Sequence, residues 1–197
     1  AQVIDYTKVE RPPELQFPGE HNVWNAKAAL AVAQILGIKA EIGGKALREF
    51  AGTARRFEYK GETSSGALIY DDYGHNPQKV AAALSGAREK YPDRKLFVAF
   101  QPHLYSRTRL LLDGFAKSFG AADEVLLLPI YAAREKDDCV TTNQTLVLEI
   151  SKHQANVQAC TFEEATTYLR ANLREGDVVV TLGAGEAYKV GDNLLQS

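Results

Sequence analysis

The sequence contains no methionine, one tryptophan and only two cysteines among its 197 residues. Cys139 and Cys160 form neither a CxxC pair nor the framework of a secreted protein, so we expect a reducing, cytoplasmic setting and no metal site built on them. Because position 1 is not methionine, we expect the chain to be an internal piece of a longer protein.

Long apolar runs and an excess of basic charge are also lacking. No apolar run approaches the roughly 18 residues of a membrane-spanning helix. Lys and Arg together number 23 against 25 Asp and Glu, a net charge of −2, whereas a dedicated nucleic-acid surface needs a basic excess. We therefore expect neither a membrane nor a nucleic acid among the partners.

The chain after residue 66 alternates short apolar segments with amphipathic ones. Predicted strands cover 67–73, 95–100, 124–130, 157–161 and 177–183, and predicted helices cover 77–90, 107–119, 142–152, 162–173 and 186–195. Strands that are almost entirely apolar are typical of a parallel sheet covered by helices on both faces. Residues 55–61 could add an edge strand, with antiparallel pairing as one option. The pattern predicts a doubly wound α/β domain with a mostly parallel sheet.

The first part of the chain has a different composition. Residues 22–36 are rich in alanine and predict an amphipathic helix, which Gly37 would end. We therefore expect two regions: a helical remnant of another domain over residues 1–42, and the α/β domain over residues 43–197.

Polar segments follow four of the predicted strands at their carboxyl ends, where open parallel sheets bind ligands. The segments are 71–77, 101–107, 131–136 and 183–186, and their candidate site residues are Asp71, Asp72, Tyr73, His75, His103, Arg107 and Arg109. Turn formation alone gives no reason for these side chains to share one crevice. Structural alternatives stay open: helix capping for Asp71 and Asp72, packing for Tyr73, turn formation for His75 and His103, and a solvated helix face for Arg107 and Arg109.

Asn22 and Asn25 stand three residues apart, so both amides lie on one face of the first predicted helix. Asn22 could cap that helix, but capping does not require a second asparagine one turn later. Two amides offer paired donors and acceptors, which suit the edge of a purine base.

Two glycine-rich segments only partly match phosphate-binding motifs. Residues 43–46 end like a phosphate loop, but Lys39 replaces its first glycine and Ala46 its Ser or Thr. Residues 183–185 begin like a dinucleotide fingerprint, but Tyr188 replaces the third glycine. We expect Gly183 and Gly185 to let the last strand turn tightly into its helix.

Taken in order, the polar segments resemble the signatures of the Mur ligases, the ATP-dependent amino-acid ligases of peptidoglycan synthesis. The similar segments are PGEHNVWN (18–25), RRFE (55–58), DDYGHNP (71–77), FQPHLYSRT (100–108), AREK (133–136) and GAG (183–185). The resemblance spans residues 17–195, and the ordered set is far more specific than any one member.

The resemblance implies three domains: one for a UDP-sugar, a central ATPase, and a C-terminal Rossmann-like domain that closes over ATP. Only the end of the central domain and the C-terminal domain would be present here, so the missing domains are expected partners. By position, Asn22 and Asn25 match the family's asparagines on the adenine side. Arg56 matches the arginine that reaches the ATP phosphates, and Asp72 matches the carboxylate that holds the ribose hydroxyls. The positions around the nucleotide and the incoming amino acid are matched by Tyr73, His75 and Arg107. Arg56, His75 and Arg107 are the implied catalytic residues, and the Mg²⁺ ligands would lie outside this chain.

Within the family, residues 100–108 are most similar to the member that joins L-alanine to UDP-N-acetylmuramate through an acyl phosphate. Leu104 and Asn76 depart from that member, which usually has arginine and histidine there. A related ligase that adds another amino acid or a peptide therefore remains an alternative, as does a stand-alone nucleotide- or peptide-binding module. Because the phosphate loop is missing, this chain alone is expected to be inactive.

Overall fold

The computed structural model describes residues 3–154 and 156–196, so the outer limits predicted for the two regions, residues 1 and 197, lie outside the described residues. The chain divides into two compact units, Ala1–Thr53 and Ala54–Ser197. The division therefore falls after Thr53 and not after residue 42. The predicted boundary was too early because residues 40–49 form a helix that packs within the first unit.

In the first unit, a short 3-10 turn at Tyr6–Lys8 precedes α1 (Glu20–Ile35) and α2 (Ala40–Glu49). The predicted helix over 22–36 is confirmed, beginning two residues earlier and ending one residue earlier. Helix α2 was not predicted, because Gly43 and Gly44 lower the helix propensity of its middle. The same glycines allow close packing: a Cβ at Gly43 would lie 3.0 Å from Cδ2 of Leu30 on α1.

The second unit contains a sheet of six strands among its described residues, in the order β1-β2-β6-β3-β4-β5. The strands are β1 (Glu58–Glu62), β2 (Leu68–Asp72), β3 (Leu96–Phe100), β4 (Glu124–Leu127), β5 (Val157–Ala159) and β6 (Val178–Leu182). Only β1 is antiparallel to its neighbour, and the other four pairings are parallel. The predicted doubly wound, Rossmann-like fold is confirmed, including the antiparallel edge strand.

Among the described residues of this unit, five helices lie between successive strands: α3 (Pro77–Lys90), α4 (Tyr105–Leu110), α5 (Leu112–Ala116), α6 (Asn143–Ile150) and α7 (Phe162–Asn172). Helix α8 (Tyr188–Leu195) follows β6. One helix was predicted over 107–119, but the structure has two, because Leu111 leaves helical geometry at φ −108° and ψ 20°. Gly114 in α5 then approaches α3 so closely that a Cβ would lie 2.9 Å from Cγ of Pro77.

The central strands are buried on both faces, which explains their almost entirely apolar sequences. In β3, Val98 and Phe100 join one cluster with Phe115 and Phe119, whereas Phe97 joins the cluster on the opposite face. This packing fixes the sheet and leaves the carboxyl ends of β2, β6 and β3 side by side. Among the described residues, no helix has both the length and the hydropathy needed to cross a lipid bilayer.

Candidate functional site

The turns after β2 and β3 meet at the carboxyl edge of the sheet. The imidazole rings of His75 and His103 have centroids 6.3 Å apart, and His103 stacks on Tyr131, which follows β4, at 5.4 Å. Nη1 of Arg107 lies 3.3 Å from Nδ1 of His103. The structure thus brings together polar residues from three of the four predicted segments.

Both histidines favour the neutral form. Burial lowers the pKa of His75, and the positive charges of Lys79 and Arg107 lower it further. Burial also lowers the pKa of His103, again with a contribution from Arg107. Uncharged imidazoles at neutral pH can accept a hydrogen bond or a proton.

Neighbouring groups define the tautomer of each ring. Nδ1 of His75 lies 3.0 Å from the carbonyl oxygen of Tyr73, and a carbonyl only accepts, so this nitrogen carries the hydrogen and Nε2 keeps its lone pair. At His103 the arrangement is reversed, since the Arg107 guanidinium only donates and Nδ1 must accept. The neutral His103 ring therefore carries its hydrogen on Nε2.

Asp72 is held by the backbone on both of its carboxylate oxygens. Oδ2 accepts from the Phe57 N–H at 2.8 Å, and Oδ1 accepts from the Gly74 N–H at 2.7 Å. Burial raises the pKa of Asp72, although these two hydrogen bonds and the charge of Arg56 act in the opposite direction. The carboxylate is therefore fixed in orientation, and each oxygen retains a second lone pair. The helix cap is instead Asn76, whose side chain accepts from the Lys79 N–H.

Asp71 points to the other face of β2 and has different partners. Its carboxylate is 2% exposed. Oδ2 accepts from Nε of Arg55 at 2.9 Å, and Oδ1 accepts from the Thr181 hydroxyl at 2.7 Å. Asp71 is thus part of an ion pair that joins β2 to β6 and to the segment before β1.

Arg56 and Tyr73 lie beside each other at the same edge. The guanidinium carbon of Arg56 is 5.6 Å from the Tyr73 ring centroid, and the arginine is exposed. Tyr73 also contacts the His75 ring edge-on at 5.2 Å. Arg56, Tyr73 and His75 therefore belong to one continuous group of side chains.

Gly183 and Gly185, after β6, are required by the close approach of Gln101. A Cβ at Gly183 would lie 2.7 Å from the Gln101 carbonyl oxygen, and one at Gly185 would lie 2.4 Å from Gln101 Oε1. Gln101 Oε1 accepts from the Glu186 N–H at 2.6 Å. As expected, these glycines allow the tight turn after the last strand.

The loop after β4 is attached to α4, which carries Arg107. The Glu135 carboxylate accepts from both the backbone N–H and the hydroxyl of Ser106 at the start of α4. One turn later, the exposed Arg109 pairs with Asp138 at 3.1 Å. Leu104, just before α4, has φ 71° and donates its N–H to the carbonyl of Tyr131. Positive φ is uncommon for a non-glycine residue and is found in turns and at functional sites.

Residues 55–185, which include this entire group, match the family described as Mur ligase, glutamate ligase domain. The chain belongs to the Mur ligase family. It is 44% identical over 184 residues to a UDP-N-acetylmuramate–L-alanine ligase of Caldanaerobacter subterraneus, and 44% identical over 182 residues to one of Alkaliphilus metalliredigens. These matches cover 93% and 92% of this chain but only 40% and 39% of the relatives. The chain thus spans about two fifths of the length of the curated relatives it matches.

Solved structures show the same fold. A UDP-N-acetylmuramate–alanine ligase from Thermotoga maritima superposes with a TM-score of 0.77 at 26% identity, over 92% of this chain and 38% of that one. A murein peptide ligase from Psychrobacter arcticus superposes with a TM-score of 0.65 at 23% identity, over 93% of this chain and 38% of that one. The Mur ligase fold therefore extends across both units of the chain.

The candidate adenine residues of this Mur ligase lie in the first unit. Asn22 and Asn25 are on one face of α1, as expected from their spacing. The structural alternative for Asn22 was wrong, because the N-cap of α1 is Gly19. The Asn22 side chain instead donates to the Pro18 carbonyl at 2.7 Å, and Asn25 is exposed.

Arg55 is the residue of this edge that sequence reasoning missed. Its neighbour Arg56 was singled out because it matches the arginine that the family places on the ATP phosphates, and two adjacent arginines give no sign of which one is more deeply placed. A possible signal was the aspartate pair: two successive aspartates at the end of a buried strand face opposite sides of the sheet. The inward-facing one then requires a cation.

Neither metal ligands nor a disulfide contribute to the site in the part of the chain that is described. No group of three or more His, Cys, Asp and Glu side chains there is arranged to hold a metal ion. Cys139 is an exposed free thiol and Cys160 a half-buried one. Burial raises the pKa of Cys160 to about 11, so its thiol is protonated at neutral pH.

Proposed function

We propose that this chain is the C-terminal part of an ATP-dependent ligase that joins L-alanine to UDP-N-acetylmuramate in the cytoplasm. The observation that carries the proposal is the grouping of Arg107, His75 and His103 at one edge of the sheet, within a domain whose relatives at 44% identity are named for this reaction. The geometry suits an anionic substrate that also has to lose a proton.

The residues of the second unit fit an ATP molecule by their chemistry. Arg56 offers an exposed guanidinium for phosphate oxygens, which arginine binds in a bidentate manner. Asp72 has its orientation fixed by two backbone N–H groups and retains lone pairs that can accept from ribose hydroxyls. In the first unit, Asn22 and Asn25 are the candidate contacts for adenine. Mg²⁺ would neutralise phosphate charge, and we assign its ligands to the part of the protein outside this chain.

The amino-acid substrate fits Arg107 and His75. One N–H of Arg107 is directed to His103, and a guanidinium has five N–H donors, so others can hold the carboxylate of L-alanine. The Nδ1–H of His75 donates to the Tyr73 carbonyl, and Nε2 keeps a lone pair. A neutral imidazole of this kind can accept a proton from the amino group before that group attacks.

The proposed reaction first phosphorylates the sugar-linked carboxylate, and the amino group of alanine then displaces phosphate from the acyl phosphate. Positioning and charge stabilisation supply most of the rate enhancement in phosphoryl transfer. Arg56 and Arg107 provide the positive charge on this chain. The missing UDP-sugar and ATPase domains would provide the rest, so we expect the 197-residue chain alone to be inactive.

The proposal is tested by release of ADP from the complete protein that contains this chain. Omission of UDP-N-acetylmuramate or of the amino acid should abolish release, and a panel of amino acids should show the highest kcat/KM with L-alanine. Preference for another amino acid would favour a sister ligase. Micromolar binding of ATP to the 197-residue chain, measured by calorimetry, would instead favour a stand-alone nucleotide-binding module.

A further inference from the structure

Arg55 makes more contacts across this edge of the sheet than its neighbour. Its Nε donates to Oδ2 of Asp71 at 2.9 Å, and its Nη2 donates to the carbonyl oxygen of Gly183 at 2.6 Å. Its guanidinium carbon lies 5.1 Å from the ring centroid of Tyr73 and 5.2 Å from that of Tyr188. One side chain thus joins the carboxyl end of β2, the turn after β6, and α8.

The backbone around Arg55 is fixed as well. Its carbonyl accepts from the Tyr73 N–H at 2.8 Å, and its N–H donates to Oε2 of Glu58 at 2.7 Å. Arg55 and Phe57 both have positive φ, 57° and 48°, which is uncommon for residues other than glycine. Because Arg56 stands between these two bends, the conformation of its neighbours decides where its side chain points.

Arg55 and Arg56 share Tyr73 as a partner. Their guanidinium carbons lie 5.1 and 5.6 Å from the centroid of that ring. Arg55 is oriented by directed hydrogen bonds to the buried Asp71 and to Gly183, whereas Arg56 is exposed. The fixed arginine therefore holds the ring against which the exposed arginine lies.

We propose that Arg55 is a positioning residue of the nucleotide site: it holds Tyr73 and the bend at residues 55–57 so that Arg56 reaches the phosphates. The proposal rests on the proposed function of Arg56. Lysine cannot replace Arg55, because an ammonium group cannot direct two N–H bonds in a fixed plane and lie flat on an aromatic ring.

The experiment must separate positioning from simple neutralisation of the buried Asp71. In the complete protein, Arg55→Met alone leaves that carboxylate unpaired and is expected to destabilise the fold. The double variant Arg55→Met/Asp71→Asn removes both charges, so its unfolding midpoint should return close to that of the parent. Its KM for ATP should nevertheless remain raised roughly tenfold, because misplacement of a binding group is costly even when the fold is intact. Arg55→Lys keeps the charge and should also raise the KM for ATP.

A matched control is the Arg88–Asp123 pair, which joins α3 to the start of β4 at 2.7 Å. The Arg88 side chain is 29% exposed, close to the 27% of Arg55. Arg88→Met/Asp123→Asn should leave the KM for ATP unchanged. A parental KM in both Arg55→Met/Asp71→Asn and Arg55→Lys would overturn the positioning role.

An NMR measurement tests the contact between Arg55 and Tyr73 without relying on enzyme activity. The ring resonance of Tyr73, assigned by its loss in Tyr73→Phe, should shift in Arg55→Lys but not in the Arg88 control. An unchanged Tyr73 resonance would overturn the inference even if the parent proved inactive. Failure of the parent to release ADP would count against the proposed function and not against the contact between Arg55 and Tyr73.

Discussion

The two units of this Mur ligase chain differ in how far their apolar side chains are buried. In the second unit, the residues of β3 and β6 are buried almost completely, between two clusters of aromatic and aliphatic side chains. Among the described residues of the first unit, the buried ones are Pro12 and, on α1, Ala26 and Ala31, whereas Leu36 and Ile42 are 70% and 59% exposed. The second unit therefore contains its own core, whereas the first has little apolar burial to stabilise it.

The residues that we propose for the site are distributed in a corresponding way. Asp72, Tyr73 and His75 of the second unit lie at the end of β2 and in the turn after it, and Arg107 lies on α4. The candidates of the first unit are the two asparagines on α1. A site built on rigid elements is preorganised for binding, so we expect the contacts of the second unit to be defined before any substrate arrives.

The largest expected contrast comes from truncating one apolar side chain in each unit. Phe100→Ala should lower the free energy of unfolding of the second unit by about 3–5 kcal/mol, because it leaves a cavity between Phe115 and Phe119. Leu36→Ala, at an exposed position, should change stability by less than about 0.5 kcal/mol. Urea titrations followed by circular dichroism measure both. An equal loss of unfolding free energy in the two variants would contradict the difference in apolar burial between the units.

Adding one methyl group should give a smaller contrast. Gly185→Ala places a Cβ against Gln101 and Tyr131 and should cost about 1–3 kcal/mol. Gly43→Ala in α2 places a Cβ 3.0 Å from the flexible end of Leu30 and 3.9 Å from the Cβ of Ala33, an ordinary contact distance. Because alanine also favours the helix, stability should change little. Gly120→Ala, with nothing within 4 Å, serves as a control inside the second unit. A neutral Gly185→Ala would contradict the close approach of Gln101.

The single tryptophan separates the unfolding of the two units. Trp24 lies on α1, so its fluorescence reports on the first unit, whereas circular dichroism is dominated by the second. Fewer buried apolar residues predict a fluorescence transition at lower urea concentration than the dichroism transition. Coincident transitions would show that the two units unfold together.

Acidic pH should weaken the second unit through His75 and His103. The pKa values of His75 and His103 lie below the ordinary value of about 6.5. As pH falls below 6.5 the unfolded chain takes up protons first, so stability is lost progressively as pH falls toward the folded-state pKa values. NMR titration of the ring protons should give midpoints below 6.5, and His75→Gln should reduce the pH dependence of unfolding. Midpoints above 6.5 would contradict the role of burial and Arg107.

The sequence predicted those parts of the fold whose signals are local. The predicted helix over 77–90 matches α3 at both ends, because Asn76 caps it and Pro77 suits its first turn. The break at Leu111 and the ion pair of the half-buried Arg55 depend on contacts between distant segments, such as Gly114 with Pro77 and Arg55 with Asp71. Periodicity and propensity contain no information on such contacts. The grouping of strand ends was foreseeable because parallel strands place their carboxyl ends at one edge.

The identity of the amino-acid site can be tested with Arg107→Lys in the complete protein. Loss of the planar guanidinium should raise the KM for L-alanine by about 10- to 100-fold, the range expected for hydrogen bonds to a charged group. The KM for ATP should change by less than about twofold, provided that Arg107 holds the carboxylate. An unchanged KM for L-alanine, or an equal rise for both substrates, would contradict the assignment of this edge of the sheet to the amino acid.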